Sequence, residues 1–177
     1  MSESTVSPIL ALLALVAAAG SIALAASIAA PGAYNLRALI DERGRWLAFL
    51  VAAVATGGSL YYSEIAGFLP CEFCWYQRIA MYPLAVILLV AAATGDRRVD
   101  RYVVPIAILG AAASVYHYQL QLFPEQATVC SSGIPCNGRY VEQFDFVSIP
   151  LMALCGFVAI LALHLAMRRA GKIEDLA

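Results

Sequence analysis

Two pairs of closely spaced cysteines are the residues of this sequence with the richest chemistry. Cys71 and Cys74 lie in "LPCEFCWYQR", and Cys130 and Cys136 lie in "CSSGIPC". Close pairs of thiols can hold a zinc ion, form a structural disulfide, or exchange disulfides with other thiols. The spacing within each pair and the elements that carry the pairs decide among these three chemistries.

Zinc binding and structural cross-linking are the less favoured interpretations. The second pair is spaced C-x5-C, wider than the usual zinc knuckle, and no histidine or acidic residue stands at ligand spacing beside it. A C-x2-C disulfide closes a very short loop and therefore removes little entropy from the unfolded chain. Short-loop disulfides are also more often reducible, as redox centres are. We favour redox exchange, and the connectivity of the four loop cysteines stays open.

The elements that carry these pairs are apolar helices. Of the 177 residues, 62% are hydrophobic and 13% are charged, whereas soluble domains are nearer half and a quarter. A helix needs about 20 mostly apolar residues to cross a bilayer. Its backbone N–H and C=O groups must hydrogen-bond to each other, because lipid offers them no partners. Five runs qualify, and they lack the alternation of a membrane barrel: Ser7–Ala30, Trp46–Tyr62, Trp75–Thr94, Tyr102–Phe123 and Val147–Met167. The predicted fold class is therefore an all-α membrane protein with five spans.

The first run predicts a retained helix rather than a signal peptide. The start "MSESTVSP" has an acidic residue and no basic one, and the run is longer than a usual signal-peptide core. The small-residue end "AASIAAPGA" resembles a cleavage site, so removal of the segment is the alternative.

Basic residues predict the orientation of the spans. Arginine and lysine are concentrated in the link Pro31–Arg45, in "GDRRVDR" and in the tail after Met167, whereas the links Ser63–Cys74 and Pro124–Phe146 contain only Arg139 between them. Basic links stay in the cytoplasm, so the N-terminus and both cysteine pairs are expected outside and the C-terminus inside. The net charge of −1 argues against a nucleic-acid partner.

Arg78 is the first candidate to assist the thiols. A helix is expected to begin near Cys71–Trp75, and the positive end of a helix favours a thiolate. Arg78 lies four residues after Cys74 and shares its helix face. A cation just inside the membrane boundary is costly and usually functional, although an arginine that snorkels to the interface is the alternative.

His117 is the second candidate. It lies six residues before Phe123, about 9 Å along the helix and at a depth similar to that of Arg78. An ionisable group at that depth favours function over simple packing. By contrast, Trp75 and Tyr76 are more typical of an interfacial aromatic belt. His164 is predicted to be interfacial, and Cys155 to be an inert buried thiol.

From Arg43 to the last span, the chain resembles the DsbB-type disulfide bond formation proteins, which are quinone-coupled membrane thiol oxidases. The matching elements stand in order: "RGRWLAFLVAAVA", "PCEFCWYQR" with the C-x-x-C-x-Y-x-R signature, "YHYQLQLFP" and "FDFVSIPLMAL". The close second pair is similar to the short-loop BdbC-like branch. The family core has four spans, which implies an extra helix and link in residues 1–45, a redox core in 46–167 and a cytoplasmic tail in 168–177.

The resemblance also implies roles for individual residues. Cys71 and Cys74 would be the pair next to the quinone, and Cys130 and Cys136 the pair that exchanges with a partner, with Cys130 in the mixed disulfide. Arg78 would contact the quinone or a thiolate beside it. His117 would lie near the quinone ring, and Tyr76 matches the signature without a defined role.

The expected function is therefore a redox relay in the cell membrane. The protein would reoxidise an extracytoplasmic DsbA-like thioredoxin-fold protein and pass two electrons to ubiquinone or menaquinone, with no metal, in support of disulfide formation in exported proteins. A VKOR-like oxidoreductase is one alternative, although its active C-x-x-C follows the loop pair, whereas here it comes first. A non-enzymatic membrane protein with structural disulfides is the other.

The links of such a relay should move. The loop "SSGIP" is expected to be mobile, as a shuttling pair requires. In "RYVEQFDF", Tyr140, Phe144 and Phe146 are spaced to lie on the membrane interface, where the segment would bring the two pairs together. A simple connector is the alternative.

Overall fold

The protein is a bundle of five α-helices without strands in the part of the chain that the structure, a computed structural model, describes: residues 3–29, 34–130 and 133–174. The helices are α1 (Glu3–Ala29), α2 (Tyr34–Leu60), α3 (Glu72–Thr94), α4 (Asp100–Leu122) and α5 (Ile149–Glu174). Each contains a segment long and apolar enough to cross a membrane. The predicted all-α fold with five spans is confirmed.

The second helix is longer than hydropathy alone indicates. α2 begins at Tyr34, although the apolar run begins at Trp46, so most of the predicted link Pro31–Arg45 is helical. Residues 31–33 of that link, and the end of the possible cleavage site, lie outside the described residues. Hydropathy marks where a helix crosses lipid, whereas polar residues with good helix propensity extend it beyond the membrane.

The first cysteine pair lies where the link after α2 meets the start of α3. α2 ends in a π-helical turn, Tyr61–Ile65. An irregular link follows, in which Gly67 adopts φ 74°, and α3 starts at Glu72 with the extended Cys71 as its N-cap. The predicted start of a helix near Cys71 is confirmed. At the other end of α3, Gly95 adopts φ 71° and its N–H bonds to Ala91, a left-handed cap that favours glycine.

α5 lies at the centre of the packing. It contacts α1, α2 and α4, while α3 packs between α2 and α4. The core contains Leu84, Leu88, Phe157 and Ile160, all fully buried. At Gly110 an added Cβ would lie 2.3 Å from the ring of Phe157, so glycine is what lets α4 and α5 approach so closely here.

One end of the bundle, which we call the cysteine end, carries both cysteine pairs. α1 begins at this end, because the Tyr62 hydroxyl donates to Ser7 Oγ at 3.2 Å, next to the π-helical turn. The described start of the chain therefore shares an end with the cysteines, the arrangement that the charge pattern predicts.

At the opposite end His164 is fully buried between the helices, and its predicted depth at the membrane interface stays a prediction. Asp100 at the start of α4 draws the side chain inward: its carboxylate bonds to His164 Nδ1 and pairs with Arg168. Cys155 is buried in α5 without a disulfide, in agreement with the predicted buried thiol.

Candidate redox site

The first cysteine pair caps the start of α3. Cys71 Sγ lies 2.9 Å from Cys74 Sγ, and it accepts a hydrogen bond from the Cys74 backbone N–H at 3.4 Å. Both are free thiols, and Cys71 is only 3% exposed. This N-cap position aims the partial positive charge of the helix start at the Cys71 sulfur, which favours its thiolate.

His117 of α4 connects this pair to the second one. Its Nε2 atom lies 3.5 Å from Cys71 Sγ and 3.1 Å from the carbonyl oxygen of Cys136, and its Nδ1 lies 3.4 Å from the side-chain nitrogen of Gln77. The carbonyl can only accept, so Nε2 carries the hydrogen, and the Gln77 amide donates to Nδ1. This arrangement makes His117 a donor toward Cys71.

These contacts change the acidity of Cys71. A hydrogen bond from Cys74 is the largest cause that holds its pKa well below the usual value of a thiol, and the hydrogen bond from His117 acts in the same direction against the cost of burial. Cys71 is therefore the sulfur of the pair that exists most readily as a thiolate.

The second pair is a disulfide packed against the first pair. Cys130 and Cys136 are bonded to each other, with their Cα atoms 6.2 Å apart. Cys136 is 1% exposed and shares a hydrophobic cluster with Cys71 and Leu120, while Cys130 is partly exposed at its edge. Ser131 and Ser132, in the loop that is predicted to move, lie outside the described residues.

The link after Cys136 is tied to the bundle. The Gln121 amide donates to Gly138 O, and Arg139 Nη2 donates to Gln121 O. Tyr140 stacks on Phe68 with ring centroids 5.0 Å apart. Phe144 and Phe146 are exposed around a tight turn, as the predicted interfacial segment requires.

Arg78 is anchored to α2. Its Nε and Nη2 atoms donate to the hydroxyl and the carbonyl oxygen of Ser59, each at 3.0 Å, and Tyr82 donates to the same hydroxyl. The guanidinium also lies over the Trp75 ring. Its third nitrogen, Nη1, has no partner among the described residues and is available to a ligand.

Arg78 lines an apolar cavity of about 380 Å³. Ser59, Cys74, Gln77 and Arg78 form one polar patch of its wall, and the rest is mostly aliphatic side chains from α1, α2, α3 and α5. Sites for small apolar ligands typically combine such a wall with a few polar groups that orient the ligand.

Comparison with known proteins decides the family. Residues 42–167, well over half of the chain, match the model of the disulfide bond formation protein DsbB. The chain belongs to the DsbB family. α1 lies outside the matched region.

Relatives of this DsbB family member occur in several bacilli. The disulfide bond formation protein C of Bacillus subtilis (strain 168) is 49% identical over 118 residues, which cover 66% of this chain and 86% of that protein. The probable disulfide formation protein C 1 of Bacillus cereus (strain ATCC 10987 / NRS 248) is 44% identical, with 68% and 88% covered. The probable disulfide formation protein of Oceanobacillus iheyensis is 44% identical, with 70% and 87% covered. No solved structure matches the chain.

Family membership and the five spans define the protein as a multi-pass membrane thiol oxidase of disulfide bond formation. The predicted site residues line two pockets that have Cys74 in common. Arg78 and Cys74 line the apolar cavity, and Cys71, Cys74 and His117 line a smaller pocket. Tyr76 is 55% exposed beside the Phe73 ring, and it is not among the residues that line either pocket.

Three further residues of the DsbB site were not predicted. Gln77 stands between Tyr76 and Arg78 in the signature, and an amide within an apolar span is a signal that points to such a site. Ser59 and Tyr82 offer no comparable signal, because serine is common in apolar helices and tyrosine is common near the interface.

Proposed function

We propose that this protein reoxidises an extracytoplasmic DsbA-like thioredoxin-fold protein and passes the two electrons to a membrane quinone. The contact of His117 with both cysteine pairs carries the proposal. It supports a relay, because a disulfide and a dithiol that share one buried cluster can exchange without large movements of the helices.

The difference in exposure between Cys130 and Cys136 supports an order for the first exchange. Cys130 is partly exposed, so a thiolate of the reduced partner attacks its sulfur and forms a mixed disulfide, with Cys136 leaving as thiolate. The second partner thiolate then releases the oxidised partner and the Cys130 thiol. Cys136, buried beside Cys71, is placed to attack the Cys71 sulfur of the oxidised first pair, with Cys74 leaving. Cys130 then attacks the Cys136 sulfur, which restores the Cys130–Cys136 disulfide and releases Cys71.

His117 and Gln77 act on the thiol that this second exchange produces. When the Cys71–Cys74 disulfide is reduced, Cys71 is released as a thiolate that accepts hydrogen bonds from Cys74 and His117. Gln77 holds the imidazole in the tautomer that can donate. A thiol with a lowered pKa leaves faster, so these contacts favour electron flow into the first pair.

The cavity fits a quinone in size, apolar character and position. Cys74 and Arg78 both line it. A bound quinone would accept two electrons and the Cys74 proton from the first pair, and a second proton from solvent. Arg78 would stabilise negative charge there, and its bonds to Ser59 hold the cation in place before any charge develops. The expected places of His117 near the ring and of Tyr76 stay predictions.

Arginine placement supports a cell-membrane location with the cysteine end outside. The basic residues of "GDRRVDR" and of the end of α5 lie at the opposite end of the bundle. Basic segments stay in the cytoplasm, so the cysteine end would face the oxidising side, where disulfides persist.

A metal site is the second candidate that a specific observation favours. Ligand atoms of Cys71, Cys74 and His117 lie within 4.8 Å of one another, and two thiolates and an imidazole suit zinc. Metal analysis of the purified protein separates the two ideas: stoichiometric zinc, with loss of turnover on chelation, would favour the metal centre over the relay.

The deciding experiment is oxidation of a reduced DsbA-like protein by the purified protein with quinone. Cys71→Ser and Cys130→Ser should each abolish turnover, while Cys155→Ser, in a buried free thiol distant from both pairs in sequence, should retain it. Normal turnover in either of the first two variants would reject the relay, and turnover without quinone would reject the proposed acceptor. The non-enzymatic alternative predicts no quinone-dependent oxidation of this partner.

A further inference from the structure

The helix that lies outside the DsbB family match forms part of the cavity wall. Five side chains of α1 line it: Leu10, Leu13, Ala14, Val16 and Ala17. They recur at intervals of three and four residues, which places them on one face of the helix. Arg78 lies within the part of the chain that matches the family, whereas the α1 side of the cavity wall lies outside it.

The position of α1 is set by packing contacts. Ser7 is bonded to Tyr62, and Leu10 lies so close to α2 that a Cβ at Gly58 would be 3.0 Å from its Cδ1. Farther along, α1 packs against α5. Because these contacts lie at the cysteine end and along α5, they hold the lining face toward the cavity.

The cavity opens at the surface of the bundle between α1 and α2. Four side chains line the cavity and are also exposed at the surface: Leu13 and Val16 of α1, and Leu50 and Val54 of α2. In a membrane that surface faces acyl chains. An apolar ligand can therefore have one part at Arg78 and another part in the lipid.

We propose that α1 and α2 form the channel for the isoprenoid tail of the quinone, and that Ala14 and Ala17 set its width. The inference rests on the proposed function. The tail is an apolar chain that extends from a ring held at the polar patch, and the mouth between the two helices is aliphatic on both sides. Small alanine side chains at two positions one turn apart leave room for it, whereas a bulky residue at either position would fill it.

The test compares phenylalanine at lining and non-lining positions of the same helix. Ala14→Phe and Ala17→Phe narrow the channel, and Ala19→Phe, at an exposed position outside the lining, is the matched control. Ala14→Phe should raise KM for a long-tailed ubiquinone about tenfold, the effect of expelling roughly two methylene groups from an apolar site. KM for a tail-less ubiquinone analogue and kcat should change less than twofold.

Photolabelling gives a readout that does not depend on turnover. A ubiquinone analogue with a photoreactive group on its tail should label α1 between Leu13 and Ala17, and Ala14→Phe should remove that label while Ala19→Phe keeps it. Equal KM values for all three variants, or labelling confined to other helices, would overturn the tail channel. Wild-type protein without quinone-dependent turnover would instead overturn the proposed function, so the two failures are distinct.

Discussion

His117 Nε2 lies 3.5 Å from Cys71 Sγ, although the two residues are 46 positions apart in the chain. The contact joins the last part of one apolar helix to the N-cap of another, and it helps to make a close pair of cysteines asymmetric. Cys71 accepts hydrogen bonds as a thiolate, whereas Cys74 donates one to it.

The first prediction concerns the acidity of Cys71. Because its pKa is lowered, the thiolate persists below the usual range of a thiol and is lost only as the pH falls through the lowered pKa. His117→Ala removes a hydrogen bond to the Cys71 thiolate. It should raise the midpoint of the Cys71 titration by about 1 to 2 pH units. Thiolate absorbance at 240 nm, with the Cys130–Cys136 disulfide intact, measures this. Val115→Ala, at an exposed position of the same helix, should leave the midpoint unchanged.

The second prediction separates positioning from direct action. Gln77 contacts His117, not the sulfur, so Gln77→Ala should shift the same midpoint in the same direction but by less. In a His117→Ala background, Gln77→Ala should add nothing, because the group that it positions is gone. Additive shifts in the double variant would contradict the assignment and indicate that Gln77 acts on the thiols by another route.

The third prediction concerns Arg78 and its anchor. Arg78→Ala should lower kcat for quinone reduction about a hundredfold, the usual loss when a preorganised electrostatic donor is removed. Ser59→Ala should give a smaller loss, because the cation loses its bond to the Ser59 hydroxyl but keeps its bond to the Ser59 carbonyl oxygen. Arg101→Ala, in an exposed arginine at the opposite end, is the control that should retain turnover. Steady-state kinetics with saturating partner would refute the role if Arg78→Ala matched the control.

The fourth prediction concerns stability of the bundle. Gly110→Ala forces a Cβ into the Phe157 ring and should lower the free energy of unfolding by about 1–3 kcal/mol, as overpacked cores do. Gly57→Ala has open space around the new Cβ and should be neutral or stabilising by up to about 1 kcal/mol. Thermal unfolding in detergent compares the two variants. A Gly110→Ala protein as stable as Gly57→Ala would mean that α4 and α5 do not approach so closely.

Both cysteine pairs, Arg78 and His117 are identifiable from the sequence alone, because each is a reactive or charged residue in an apolar setting where such residues are costly. Their mutual contacts are not. Depth along a helix can be counted from the sequence, but rotation about the helix axis depends on neighbouring helices. The family resemblance implies that Arg78 and His117, at similar depth, both lie beside a quinone, and that place of His117 stays a prediction. The tertiary structure shows Arg78 in the cavity wall and His117 beside Cys71 and the Cys136 carbonyl.

The sequence predicts the five helices and the common end of the cysteines, because a bilayer demands long apolar runs and loop charges set their direction. It does not predict that His164 is buried between helices, since its partner Asp100 stands 64 positions away. Only the tertiary structure decided that α1 borders the cavity and that Ser59 holds Arg78. Such contacts depend on close approaches at small residues, as at Gly58 and Gly110, and hydropathy carries no information about which helix faces meet there.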